Sequence, residues 1–246
     1  MKIVASIEAR MSSSRLPGKI LREISGKPAL LWIVERLKMS LMLNEIWVAT
    51  TLNSADDLTE EFCFKNNINC FRGSEEDVLQ RVVACHTIAG TDIIVQITGD
   101  CPLIDFRIVD TCIQTYLDGD YAVVTNSVKS SYPSGTDVQV YSYDILKEVS
   151  ERVFDRFVRE HVSLFFYENP DLYKVKYLDP PLEHFHPNCR LQLDYEEDLE
   201  LIQCIYSRLL PKHGPDFGLS EVLNELRGNP DIMLLNDHCI EKDVRY

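Results

Sequence analysis

The stretch 9–21 reads Ala-Arg-Met-Ser-Ser-Ser-Arg-Leu-Pro-Gly-Lys-Ile-Leu and combines residue types that bind phosphate. It follows an apolar run at 3–7 that predicts a buried strand, and its proline and glycine mark it as a loop. Arg10, Arg15 and Lys19 supply three cations, which serine hydroxyls and backbone N–H groups can join around one anion. The stretch therefore predicts a polyphosphate site, with a solvated basic turn as the alternative.

Two aspartates are candidate metal ligands. Asp100 follows the apolar run 92–97 in the sequence Thr-Gly-Asp-Cys-Pro, where the proline prevents the strand from continuing. A carboxylate at the end of a strand can hold Mg²⁺, although a turn or capping aspartate has the same local sequence. Asp105 is predicted to cap the next helix. Asp194 precedes two glutamates that favour a helix start, so its surroundings leave a capping role open.

Composition narrows the class of protein. The chain has 246 residues, of which 45% are hydrophobic, enough for one large α/β domain or two small ones. A formal net charge of −14 repels nucleic-acid backbones and anionic membranes. We expect a cytoplasmic protein, because no apolar run has the length of a membrane span and no signal peptide is apparent. The eight cysteines form no Cys-x-x-Cys pair, which predicts scattered thiols and neither a disulfide frame nor a zinc site.

Strand and helix patterns alternate in the first half of the chain. Strands are predicted at 3–7, 46–51, 69–71, 92–97 and 121–125, and helices at 28–38, 55–65, 75–88 and 109–117. This order predicts an α/β, Rossmann-like fold with a mostly parallel sheet and helices on both faces. Ligands of such sheets bind beyond the carboxyl ends of the strands. The basic loop and Asp100 are therefore expected at one edge.

The second half of the chain is less regular. Strands are predicted at 137–141, 173–178 and 191–193, and helices at 143–149, 154–167 and 196–209. The polar run 127–135 predicts a mobile loop. We expect a single domain over 1–246, with an inserted substrate or dimerisation region around 127–190.

The stretch 9–21 resembles the N-terminal signature of the sugar-activating cytidylyltransferases, in particular the branch named after spore-coat polysaccharide biosynthesis. The KDO (3-deoxy-manno-octulosonate) and acylneuraminate cytidylyltransferases are similar but more distant. The resemblance implies a fold of the nucleotide-diphospho-sugar transferase type. It implies transfer of CMP from CTP to an acidic sugar or related acceptor with release of pyrophosphate, for surface polysaccharide or glycoconjugate biosynthesis. Mg²⁺ and a homodimer are implied as well.

The resemblance also assigns roles to matching positions, because further segments match along nearly the whole chain. It implies that Asp100 and Asp194 bind the metal, and that Arg10, Lys19 and Asp100 are catalytic. The implied nucleotide-binding residues are Ala9, Arg10, Ser14, Arg15, Lys19, Arg72, Ser74 and Thr98. The implied acceptor-binding residues are Tyr132, Asp137, Arg159 and His161.

Two departures from the family pattern concern the acceptor. Glu8 stands where relatives are expected to have Gln, and Gln139 stands where close relatives are expected to have an acid. The run 118–120, Asp-Gly-Asp, mimics the metal motif of glycosyltransferases, although an ordinary turn explains it equally. A glycosyltransferase using a nucleotide sugar thus stays open as an alternative. A nucleotide-binding partner protein without catalysis is another.

Overall fold

The computed structural model describes residues 1–127 and 131–240. Within them the strands are β1 (Ile3–Glu8), β2 (Glu23–Ile24), β3 (Lys27–Pro28), β4 (Glu45–Thr51), β5 (Asn69–Gly73), β6 (Ile93–Thr98), β7 (Val123–Thr125), β8 (Gln139–Ser142) and β9 (Val175–Tyr177). Seven of them form one sheet in the order β5-β4-β1-β6-β8-β7-β9, while β2 and β3 form a separate hairpin. The central strands are those that the first half of the sequence predicts.

The sheet is mostly parallel, as predicted. Strands β5, β4, β1 and β6 run parallel to one another, and β9 is parallel to β7. Strand β8 alone among them runs antiparallel to both neighbours, β6 and β7. In the β1–β6 register Glu8 lies opposite Thr98. The carboxyl ends of these two strands therefore lie side by side and present the segments that follow them together.

Helices cover both faces of the sheet. They are α1 (Ala29–Leu37), α2 (Asp57–Lys65), α3 (Val78–Ala89), α4 (Phe106–Asp118), α5 (Tyr143–Arg152), α6 (Arg156–Glu160), α7 (Leu164–Glu168), α8 (Glu196–His213), α9 (Leu219–Gly228) and α10 (Pro230–Met233). On β6, Val95 packs into the core formed with α1, α4, α8 and α9. Its neighbour Ile94 packs into a second core with α3 and α5. Successive side chains of a strand point to opposite faces, so the sheet separates two cores.

Two predicted elements of the second half are wrong. The segment 191–193 is not a strand, because Leu191 donates its N–H to the Ser134 carbonyl and Leu193 donates to the Asp100 carbonyl, both at 2.8 Å. Pairing with two different segments gives no continuous ladder. The predicted helix 154–167 is divided into α6 and α7, since the backbone leaves the helical region at His161, with φ −110° and ψ 79°. Helices α9 and α10 were not predicted.

The region predicted as an insertion, 127–190, contributes β8 and β9 to the main sheet. Its role in substrate binding or dimerisation stays a prediction, as does the single domain over 1–246. Residues 128–130 of the predicted mobile loop lie outside the described residues. All eight cysteines are free thiols. Within 1–127 and 131–240, every helix is too short or too polar to cross a bilayer.

Candidate active site

A cleft of about 770 Å³ opens at the carboxyl ends of β1 and β6. Its lining comes from the loop after β1, the turn after β6, and segments of the second half of the chain. It brings together most of the residues singled out in the sequence, namely Ala9, Arg10, Ser14, Arg15, Lys19, Thr98, Asp100, Tyr132, Asp137, His161 and Asp194. The predicted convergence at one sheet edge is therefore confirmed.

The loop after β1 is anchored at its middle and at its end. Leu16 is buried in the core, and Met11 donates its N–H to the Asp56 carboxylate at 2.8 Å. Gly18 returns to Met11 through a 2.9 Å backbone hydrogen bond. Its φ of +70° lies in the left-handed region that glycine adopts without strain. These contacts turn the chain so that Lys19, which begins a short 3-10 helix, faces the cleft.

Lys19 joins the two aspartates predicted as metal ligands. Its Nζ lies 3.1 Å from Asp100 Oδ2 and 2.7 Å from Asp194 Oδ1. The side chain of Arg15 also pairs with Asp194, with Nη2 2.5 Å from Oδ2. Only 13% of the Asp100 side chain and 7% of the Asp194 side chain are exposed. Two nearly buried carboxylates thus face one cationic group, which is the arrangement that a shared cation requires.

The electrostatics of this cluster keep both partners charged. Burial opposes ionisation of Asp100, but the charge of Lys19 and hydrogen bonds from Thr98 and Gln192 outweigh it and hold the pKa of Asp100 well below its usual range. Burial likewise disfavours the Lys19 ammonium, yet Asp100 and Asp194 raise its pKa above the ordinary lysine value. Lys19 and Asp100 therefore form an ionised pair whose side chains are largely shielded from water.

Asp194 is positioned by the start of α8, but it does not act as a helix cap. Asp198 accepts the backbone N–H groups of Asp194 and Tyr195, each at 2.9 Å, and pairs with buried Arg190 at 2.9 Å. Asp198 therefore has a structural role at the start of α8. Because Asp198 satisfies these donors, the Asp194 carboxylate is available to Lys19 and Arg15.

Gln192 is a cleft residue that sequence reasoning missed. Its Nε2 donates to Asp100 Oδ2 at 2.9 Å. The backbone of Gln192 is approached closely by Gly135, which has φ +87° and whose hypothetical Cβ would lie 2.4 Å from Gln192 N. Only glycine allows this packing. A tight glycine turn in the sequence indicates a close approach, but it does not say which segment is approached.

A polar cluster beneath the cleft was also missed. Gln96 donates to Glu8 Oε2 at 2.9 Å, and its carbonyl oxygen accepts from Ser163 at 2.8 Å and from Tyr141. Arg81, with 2% of its surface exposed, lines the same wall. Burial raises the pKa of Glu8 to about 7, against the opposing effects of the Gln96 hydrogen bond and the Arg81 charge. One indication of this cluster was present in the sequence, namely that Glu8 stands where the family pattern is expected to have Gln.

The structure does not bring three of the predicted site residues to the lining of the cleft. Arg72 is held at the sheet edge, where its Nη1 lies 2.7 Å from Asp57. The Ser74 hydroxyl accepts the backbone N–H of Asp77 at 3.1 Å. Arg159 pairs with the Asp77 carboxylate at 2.8 Å and donates to backbone carbonyls before α6. Ser74 and Arg159 thus brace Asp77 at the start of α3, whereas Arg72 ties the edge strand β5 to α2.

The other aspartates singled out in the sequence lie outside the cleft lining. Asp105 caps α4 as predicted, accepting the N–H of Arg107 at 2.9 Å. Asp118 ends α4 and accepts from Gln114 at 2.9 Å. Asp118 and Asp120 are exposed, and neither lines the described part of the cleft. The interpretation of 118–120 as a turn is thus favoured over a glycosyltransferase metal motif.

Comparison with known proteins shows the family of this chain. The family model described as cytidylyltransferase matches residues 4–213. The spore coat polysaccharide biosynthesis protein SpsF of Bacillus subtilis is 34% identical over 236 residues, 93% of this chain and 95% of that protein. The 3-deoxy-manno-octulosonate cytidylyltransferase of Geobacter metallireducens is 31% identical over 170 residues, 69% of this chain and 62% of that protein.

A solved structure extends the match to the whole fold. The structure of a cytidylyltransferase from Leptospira borgpetersenii serovar Hardjo-bovis is 30% identical, covers 100% of both chains and superposes with a TM-score of 0.88. The family match spans the basic loop, Asp100 and Asp194, which the fold gathers in one cleft. The chain therefore belongs to the cytidylyltransferase family and is a CTP-dependent nucleotidyltransferase.

Proposed function

We propose that this chain transfers CMP from CTP to an acidic sugar or a related acceptor and releases pyrophosphate. The observation that carries the proposal is the meeting of Lys19 with Asp100 and Asp194, with Arg15 beside them. Cations and carboxylates in one cleft suit a triphosphate accompanied by a metal ion, since each kind of group then has a partner of opposite charge.

Two relatives support the acceptor class and the biological role. One is named a 3-deoxy-manno-octulosonate cytidylyltransferase, and that acceptor is an acidic sugar. The other is named for spore coat polysaccharide biosynthesis. We extend both to this chain as proposals: an acidic sugar, activated for a surface polysaccharide or glycoconjugate.

Nucleotidyltransferases of this family typically use a divalent metal. The donor set fits Mg²⁺, because Asp100 and Asp194 offer hard carboxylate oxygens close enough to contact the same ammonium group. When bound, Mg²⁺ would neutralise charge on the phosphate oxygens and would activate the attacking hydroxyl as a nucleophile. We propose Asp100 and Asp194 as its protein ligands.

The cations of the loop after β1 act on the phosphates. In this proposal Arg10, Arg15 and Lys19 bind the triphosphate and neutralise the charge that develops on the leaving pyrophosphate. Lys19 and Arg15 exchange carboxylate partners for phosphate oxygens when CTP enters. Thr98, which donates to Asp100 at 2.5 Å, holds that carboxylate in place while facing the nucleotide. Ala9 and Ser14 complete this side of the cleft.

The opposite side of the cleft is the proposed acceptor pocket. Tyr132, Asp137 and His161 line it, and the acceptor hydroxyl attacks the α-phosphorus in line from there. Arg159 acts indirectly in this proposal, since it braces Asp77 at the start of α3. Ser74 likewise supports the turn before α3 from outside the lining, and Arg72 acts from further away by tying β5 to α2.

The proposal includes a homodimer in the cytoplasm, where CTP is available. The family resemblance supports the dimer, and the charge of −14 fits a small-molecule enzyme better than a protein that binds nucleic acid or anionic membranes. Size-exclusion chromatography with light scattering tests the dimer directly.

The decisive experiment mixes the chain with CTP, Mg²⁺ and a panel of acidic sugars, and follows pyrophosphate together with the CMP-sugar mass. We expect both products in equal amounts with at least one acidic sugar, and neither product with ATP or GTP. Matched neutral sugars are the acceptor control. A glycosyltransferase would instead consume a nucleotide sugar. CTP binding without pyrophosphate for any acceptor would favour the partner protein without catalysis.

A further inference from the structure

A second group of metal-ligand side chains lies where the end of the described chain meets α8. Glu197 stands in the first turn of α8, and His238 and Cys239 follow the 3-10 helix Leu234–Asn236. One ligand atom of each residue lies within 4.8 Å of the other two. The set combines a carboxylate oxygen, an imidazole nitrogen and a thiol sulfur from two segments that are distant in sequence.

The backbone around the group is fixed on both sides. Asn236, which is 4% exposed, donates its Nδ2 to Asp198 Oδ1 at 2.7 Å and so ties the segment to the first turn of α8. Tyr195 donates its hydroxyl to the Ile240 carbonyl at 3.2 Å. Cys239 donates its N–H to the Asn236 carbonyl at 3.0 Å. These hydrogen bonds hold the backbone that carries the ligand residues against the start of α8, which lowers the entropic cost of bringing the three side chains to one ion.

The imidazole is oriented as a metal-binding histidine usually is. His238 Nε2 lies 3.5 Å from Glu197 Oε1, on the side of the group. The other ring nitrogen, Nδ1, lies 3.4 Å from Asp237 Oδ1. Metal-binding histidines commonly donate their second N–H to a carboxylate, which fixes the tautomer and raises the basicity of the ligand nitrogen. Asp237 can supply this support.

We propose that Glu197, His238 and Cys239 form a binding site for Zn²⁺ or a similar transition-metal ion, separate from the catalytic cleft. Thiolate and imidazole ligands select such ions over Mg²⁺, and three protein ligands leave one position for water. The site does not need the paired cysteine spacing that sequence reasoning looked for, because the fold supplies the third ligand from α8. Binding would fasten residues 238–239 to the helix that begins just after Asp194.

The test is titration of the full-length, chelator-dialysed chain with Zn²⁺ by calorimetry, together with Co²⁺ absorption spectroscopy. We expect one Zn²⁺ per chain, a higher melting temperature in its presence, and a thiolate-to-cobalt charge-transfer band. Cys239→Ser should abolish the band and weaken Zn²⁺ binding. Asp237→Asn should keep the band and weaken binding by about 10- to 100-fold.

The matched control is Cys204→Ser, which removes another half-buried thiol of the chain and should leave the titration unchanged. His238→Asn gives a second test of the site if Cys239→Ser does not fold. Failure of the wild-type chain to bind Zn²⁺ would overturn the proposal. So would Zn²⁺ binding of equal affinity in the wild type, Cys239→Ser and His238→Asn.

Discussion

Asp100 and Asp194 face each other across a single ammonium group, that of Lys19, at 3.1 and 2.7 Å. One aspartate follows a central strand and the other precedes a helix of the second half. Like charges this close repel unless a cation lies between them. Lys19 supplies that cation here. In our proposal Mg²⁺ takes the place of Lys19 between the two carboxylates during the reaction, and the triphosphate takes the place of the carboxylates beside Lys19.

Removing the lysine should expose this repulsion. Lys19→Met leaves two nearly buried carboxylates. Arg15 and Arg190 remain beside Asp194, at 2.5 and 3.5 Å, whereas Asp100 loses the ammonium group it pairs with. We therefore expect a loss of stability on the order of 3 kcal/mol without divalent ions. Thermal unfolding with and without Mg²⁺ measures it. Mg²⁺ should stabilise the variant more than it stabilises the wild type. An unchanged melting temperature would mean that the lysine contributes little to holding the carboxylates.

Lys19 should contribute more to the binding of CTP than to the binding of CMP, because it contacts the outer phosphates in our proposal. Lys19→Ala is expected to weaken CTP binding and slow turnover, while CMP, which carries fewer charges, should lose much less affinity. Calorimetric titration with both nucleotides makes the comparison within one variant. Equal losses for CTP and CMP would show that the loop after β1 does not bind the outer phosphates.

The cleft should prefer a pyrimidine triphosphate. In our proposal Thr98 and the wall before α3 leave room for a small base, so CTP with Mg²⁺ should raise the melting temperature well above the effect of ATP or GTP. Thermal shift assays at matched nucleotide concentrations provide the measurement. Equal shifts for all nucleotides would contradict cytidylyl specificity at this site.

Glu8 should make stability depend on pH. Its pKa is raised from 4.5 to about 7 in the folded chain, so the folded state holds a proton that the unfolded state releases above about pH 4.5. Wild-type stability should fall as pH rises between these values, and the full penalty should persist above pH 7. Glu8→Gln removes this titration. It should therefore gain on the order of 3 kcal/mol over the wild type at pH 8 and almost nothing at pH 4.

The control for Glu8 is Glu23→Gln, which changes an exposed glutamate of β2. Chemical denaturation from pH 4 to pH 9 should show a difference between wild type and variant that grows with pH for Glu8→Gln only. A difference independent of pH would mean that the pKa of Glu8 is the same in the folded and unfolded chains, which would contradict the raised pKa.

Local sequence was sufficient to locate the site residues that come directly after a central strand. The basic loop follows β1 and Asp100 follows β6, and adjacent parallel strands place their carboxyl ends together. The positions of those strands in the chain and a mostly parallel sheet could be predicted from apolar runs that alternate with helix patterns, whereas the pairing of β1 with β6 was not predicted. Topology thus brings the basic loop and Asp100 to the same end of the sheet, while the contact of Lys19 with Asp100 also depends on the hydrogen bonds and buried Leu16 that turn the loop.

Three features depend on contacts between segments distant in sequence and could not be predicted from local patterns. The backbone before Asp194 pairs with Ser134 and Asp100 instead of forming a strand, and both partners are distant in sequence. Arg72 was expected at the nucleotide, but Asp57 on the neighbouring α2 holds it at the sheet edge. The partners of Glu8 come from β6 and α3, so its burial could not be inferred from the apolar run of β1 that precedes it.

The central claim is that Asp100 and Asp194 act as one metal-binding unit in cytidylyl transfer, and a double-mutant cycle on pyrophosphate release across a Mg²⁺ titration tests it most directly. Asp100→Asn and Asp194→Asn should each reduce turnover by at least about 10²-fold. The double variant should be little worse than either single variant, because residues that act as a unit are not additive. Asp118→Asn, at an exposed position, should retain wild-type turnover. Fully additive losses, or wild-type turnover in Asp194→Asn, would contradict the shared metal site.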